Sequence, residues 1–204
     1  MVQKETRPRG RPRSFDSDEV LDKARAVFWN LGYAATSLDD LAAATGLNRP
    51  SLYAAFGDKH ALYLAALDRS SREGIASLSG ALQAEAPLRA ILWIILERTI
   101  EIYRSGELGQ RGCFLVGTAV TQSVDDPDAR ERLAHFIAET DRLFAERFGR
   151  QRDQLANGVT PAAAGAMASA TFHTLAIRAR TGAALADMHA VARAAVDLIC
   201  GPAG

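Results

Sequence analysis

Cysteine is nearly missing from this sequence, with only Cys113 and Cys200 among 204 residues. Two cysteines cannot make a disulfide framework, so nothing here calls for an oxidising compartment. Net charge is missing too: 24 basic side chains cancel 24 acidic ones, and 48% of residues are apolar. A chain so balanced is not disordered as a whole. Long apolar runs are also wanting. The N-terminus, MVQKETRPRGRPRSF, is basic without the apolar stretch of a signal peptide. Residues 154–177 carry no charge, but Asn157, Pro161 and His173 interrupt them and their apolar residues are mostly alanine. They read as a buried helix and not as a membrane span. The expectation is a cytoplasmic protein with no membrane partner. β-Branched residues are scarce, 29 Val, Ile and Thr against 39 Ala, and no segment alternates apolar with polar. The expected fold class is therefore all-α.

Signatures of catalysis are wanting as well. There is no glycine-rich phosphate loop and no nucleophile elbow, and His60, His135, His173 and His189 lack metal-ligand spacing. No cofactor and no metal are expected, and the chain does not read as an enzyme. A hydrolase built on Cys113 and a histidine stays formally open, but no local pattern supports it.

What is present divides the chain into three. Residues 1–15 form a basic arm in which Arg7, Arg9, Arg11 and Arg13 alternate with Pro8, Gly10 and Pro12. Such a segment cannot bury a core and is expected to be flexible. Helical spacing then begins: Val20, Ala24, Val27, Phe28 and Leu31 make one apolar stripe that ends at Gly32. Thr36 and Ser37 open a second short helix stopped by Gly46, and Asn48 caps a third with Pro50 in its first turn. Asp58 caps a fourth, longer helix. Residues 16–60 thus hold helix, tight turn and helix, the unit whose second helix enters the major groove of DNA. Leu38, Leu41, Leu47, Leu52 and Phe56 can form one core with Phe28 and Leu31, leaving Asn48, Arg49, Ser51, Tyr53 and Ala55 outward.

Residues 36–67, TSLDDLAAATGLNRPSLYAAFGDKHALYLAAL, closely resemble the DNA-binding segment of the TetR family of bacterial repressors. Thr36, Leu41-Ala42, Gly46-Leu47, Pro50-Ser51-Leu52-Tyr53, Phe56 and Asp58-Lys59 carry the likeness. It implies that Thr36 or Ser37 holds a phosphate and that Arg49, Pro50 and Ser51 face base edges. Tyr53 and Lys59 would each reach a further phosphate. For Arg49 the chemistry agrees independently, since its fork fits guanine bidentately. Tyr53 has an alternative as a core aromatic, and Ala55 could touch a thymine methyl. The arm resembles the AT-hook core, an arginine–glycine–arginine–proline element of narrow minor grooves; its alternative is a nonspecific basic tail.

Residues 61–204 read as long helices. Residues 88–104 are apolar around almost the whole circumference, so that helix is expected to run through the middle of a domain. The last two helices are expected at about 161–180 and 187–200. The resemblance implies that this part binds a small-molecule effector and forms a homodimer, which would read a palindromic operator in double-stranded DNA. Candidate pocket residues are Trp93, Glu97, Tyr103, Cys113, Phe114, Thr118, His135, Phe136, Phe172 and His173, each with an ordinary packing alternative. Cys113 opens a helix after Arg111-Gly112, where the dipole and nearby cations lower a thiol's pKa. The stretch also resembles a branch of the family that includes the N-ethylmaleimide-responsive repressor, implying a sensing cysteine; the alternative is a small buried hydrophobe. The reading is a ligand- or redox-responsive repressor. A DNA-architectural protein without an effector is the competing one.

Overall fold

The computed structural model describes residues 15–105 and 110–202; Arg7, Arg9, Arg11 and Arg13 lie outside the described residues. Among the described residues all regular structure is helical, as alanine content and capping chemistry require. Helix α1 (Ser17–Leu31) starts where Asp16 accepts from the Asp18 N–H and ends at Gly32, whose N–H bonds the Phe28 carbonyl. Helix α2 (Leu38–Thr45) carries a reciprocal capping box between Ser37 and Asp40, and stops at Gly46 in the left-handed conformation. Helix α3 (Arg49–Phe56) is capped by Asn48 and α4 (Lys59–Ala81) by Asp58. Helix α5 spans Leu88–Tyr103. A π-helical turn, Leu115–Ala119, runs into the short α6 (Val120–Gln122). Then come α7 (Pro127–Arg150), α8 (Pro161–Arg180) and α9 (Leu185–Cys200).

Two apolar cores organise these helices. One joins the C-terminal end of α4 to α5, the second half of α7, α8 and α9, through Leu92, Leu96, Phe144, Phe148, Leu175 and Met188. The other joins α1, α2 and α3 to the first half of α4, and also takes in Cys113, Phe114, Leu115, Leu133 and Phe136. So apolar packing is continuous across the expected boundary at residue 60. The π turn packs directly against α1.

Two expectations need correction. Helix α5 is not enclosed on all sides, because Ile94 and Ile102 are half exposed; α8 and α9 cover one side of it only. Leu31 is likewise exposed, so the α1 stripe that packs is Val20, Ala24 and Phe28, with Val27 half-buried beside them.

Candidate nucleic-acid interface

Helix α3 is short and shows one side to solvent. Its buried residue is Leu52, while Asn48, Arg49 and Pro50 are exposed and Ser51 is half-buried. Tyr53 is 48% exposed, which decides against the core-aromatic alternative. Ala55 is half-buried. Asn48 spends its side-chain oxygen on the Ser51 N–H at 2.9 Å. Arg49 makes a two-bond pair with Asp39 of α2, Nε to Oδ1 at 2.7 Å and Nη2 to Oδ2 at 2.5 Å. The guanidinium beside it holds the Asp39 carboxyl below the usual carboxylate range.

The two hydroxyls before α2 part company. Thr36 is 2% exposed and its Oγ1 donates to the Gly32 carbonyl at 2.7 Å. That is a correction: a side chain turned inward cannot reach a phosphate, and Ser37, which is exposed, is the hydroxyl left at the surface. Lys59 is also more tied than expected. Its Nζ donates to the carbonyls of Tyr33 (3.0 Å) and Thr36 (2.8 Å) and lies 4.4 Å from the centre of the Tyr33 ring. Residues 37–59 hold three carboxylates, Asp39, Asp40 and Asp58, against two cations, Arg49 and Lys59. This face is not itself a basic patch.

The candidate pocket residues are spread over both cores. Trp93 and Phe172 belong to the C-terminal core, Phe172 edge-on to Phe144. Phe114 and Phe136 belong to the other core, and Tyr103 touches both. Thr118 is buried, accepts from the Tyr63 hydroxyl at 3.0 Å and donates to the Phe114 carbonyl. Glu97 is half-buried and His135 exposed. His173 is half-buried, and burial holds its imidazole below the ordinary range.

A cavity of about 100 Å³ lies elsewhere, lined by Arg111, Gly112, Cys113, Val116, Gly117, Ala176, Ile177, Arg180 and Thr181. Of the candidates only Cys113 borders it. The thiol is 8% exposed and burial pushes its pKa up, although the N–H groups of Val116 and Leu115 and the Tyr103 hydroxyl pull the other way. The expected lowering at a helix N-terminus is thus overturned, because desolvation of the thiolate outweighs the amides.

Beside the cavity is a clamp that sequence reasoning missed. The Trp29 indole N–H donates to the Arg111 carbonyl at 2.8 Å, and the Arg111 guanidinium lies 4.2 Å from the centre of the Trp29 rings. Arg180 Nη2 donates to the Trp29 carbonyl at 3.0 Å. Helix α1 is thereby tied to both cavity arginines. Residues 82 and 151 positions apart leave no local pattern for a reader to find. A second tie joins α4 to α7: His60 Nε2 lies 2.8 Å from Asp126 Oδ2, and Asp126 Oδ1 caps α7. Among the described residues His60, Asp126 and Asp128 converge within 4.8 Å, but both Asp126 oxygens are already engaged. No helix of the described residues is long and apolar enough to cross a membrane.

The model of the bacterial regulatory proteins, tetR family, matches residues 20–66, which hold the capped α2–α3 pair. The HTH-type transcriptional repressor ComR of Escherichia coli (strain K12) is 36% identical over 139 residues, or 68% of this chain and 66% of ComR. Among solved structures, a cysteine mutant of the TetR family transcriptional regulator CifR, complexed with 26bp double-strand operator DNA, is 30% identical. It covers 91% of this chain, is itself covered to 98%, and superposes with a TM-score of 0.76. Reduced E. coli NemR shares the fold at TM-score 0.80 with 18% identity, covering 92% of this chain and 98% of NemR.

Proposed function

This chain belongs to the TetR family of bacterial regulatory proteins, and from that premise we propose that it is an effector-responsive repressor acting as a homodimer on a palindromic operator. The observation that carries the reading is the outward row on α3, Asn48, Arg49, Pro50 and Tyr53, held by caps at both α2 and α3. A dimer sets two such helices about one DNA turn apart, roughly 34 Å, in successive major grooves. Tyr53 offers its hydroxyl to a phosphate and Lys59 adds charge, while the Ser37 hydroxyl is already donated to the Asp40 carboxylate at 2.6 Å. Since residues 37–59 carry more acid than base, sequence-independent attraction falls to the arm with Arg7, Arg9, Arg11 and Arg13. Those arginines suit a narrow minor groove beside each half-site.

Release from DNA requires an effector that binds the non-DNA state more tightly. The cavity between the π turn and α8 fits that task, because its arginines hold Trp29 of α1. An occupant that moves Arg111 or Arg180 moves the helix against which α2 packs. Cys113 in the cavity wall supports a second form of the reading, in which a thiol-reactive or oxidising agent is the signal.

Footprinting on the DNA beside the chain's own gene tests the whole. The expectation is a protected palindrome for wild type that candidate ligands release. Cys113→Ser stays bound only where the signal is thiol-reactive. Protection without regard to sequence would favour an architectural protein and sink the proposal.

A further inference from the structure

Arg49 is the one arginine in residues 37–59, and it stands at the first position of α3 on the exposed side. Its partner Asp39 stands in the first turn of α2. The two side chains are 55% and 71% exposed. Exposed pairs of this kind add little to stability, so the fold supplies no reason for such a well-formed one. The chemistry of the guanidinium supplies a reason. It has five N–H donors in one plane, and Asp39 takes Nε–H and one hydrogen of Nη2. The other Nη2 hydrogen and the Nη1 hydrogen beside it remain along the end of the fork. Guanine O6 and N7 accept as a pair along just such an edge. Arg49 can therefore read guanine without leaving Asp39.

We propose that Asp39 is a positioning residue for DNA recognition, holding Arg49 by its Nε edge so that the Nη1–Nη2 edge meets guanine. The inference rests on the DNA-binding reading above and adds the base it selects and the residue that enforces the choice. Asp39 also cancels the charge that would draw Arg49 to any phosphate. With three carboxylates against two cations in residues 37–59, the face gives up sequence-independent attraction and gains discrimination.

Selection from a pool of random duplex DNA, using the full chain, tests this. Wild type is expected to recover a palindromic motif with one G·C pair per half-site preferred by about 10- to 100-fold. Arg49→Ala flattens that position alone. Asp39→Ala lowers the preference there by about tenfold, leaves neighbouring positions as they were, and binds nonspecific DNA more tightly with a steeper salt dependence. Asp39→Asn, which keeps one acceptor oxygen, falls between, and the double variant matches Arg49→Ala at that position. An undiminished guanine preference in Asp39→Ala overturns the inference. So does a uniform loss across all positions, the mark of a damaged α2. A motif indifferent to Arg49→Ala overturns it while leaving the DNA-binding reading in place; no motif from wild type overturns both.

Discussion

Tyr63 sits fully buried on α4 with Phe28, Tyr33 and Phe114 around its ring, and its hydroxyl bonds Thr118 in the π turn. Burial pushes its pKa up to about 12. The folded value lies above the unfolded one near 10, so its stabilising share is complete below pH 10 and is lost as pH rises through 12. Tyr63→Phe should cost about 1 kcal/mol at neutral pH through the lost bond. It should also remove on the order of 2 kcal/mol of the alkaline loss between pH 10 and 12. Urea titrations across that range check both; an unchanged alkaline slope would refute the second. Individual residues were only partly legible. Arg49, Ser37 and the α3 caps declare themselves, because capping and base-reading need particular side chains at fixed offsets. Thr36 did not, since a hydroxyl before a helix looks the same whether it faces out or bonds a carbonyl four residues back.

Helix α8 approaches α7 closely at Gly165, where a Cβ would lie 2.7 Å from the Asp141 carbonyl oxygen and 2.9 Å from the Ala145 nitrogen. Both obstacles are backbone, so Gly165→Ala must push the helices apart, at a cost of about 1–3 kcal/mol. Gly80, in the last turn of α4, has nothing within 4 Å of the same position. Gly80→Ala should instead stabilise by about 0.5 kcal/mol, by restricting the unfolded chain. Paired thermal melts separate the two signs; equal shifts would refute the packing argument. At this scale the sequence was most readable. Helices at 161–180 and near 187–200 appear as Pro161–Arg180 and Leu185–Cys200, since Thr160-Pro161 and apolar spacing announce them. The π turn was not readable. It differs from an α-helix by one inserted residue, and CFLVGTAV carries the same apolar spacing either way.

Over the whole molecule, α8 and α9 leave an outward apolar stripe: Met167, Ala170 and Ile177 on one, Ala194 and Leu198 on the other, all exposed. Small residues there allow the close approach that a two-fold interface needs. Wild type is expected to sediment as a dimer at micromolar concentration, and Met167→Glu with Leu198→Glu as a folded monomer. Operator affinity should then fall by about a hundredfold or more, because two tethered reading heads act as one binder. A monomeric wild type would refute the arrangement. That α1, α2 and α3 share one core was legible from their apolar stripes. That Tyr103 borders both cores, and that α1 is held from α8, were not: long-range ties leave no periodic trace.

The clamp on Trp29 has an optical consequence. The chain has two tryptophans, Trp29 and Trp93, so Trp93→Phe leaves the indole above Arg111 as the sole long-wavelength emitter. Anything that fills the neighbouring cavity and displaces Arg111 should change that emission in colour or intensity. The Trp29→Phe protein, emitting from Trp93 alone, should be silent to the same compound. Equal responses from both single-tryptophan proteins would mean that the signal does not arise at the clamp. Compounds can in this way be screened by light alone, with neither operator nor regulated gene in hand.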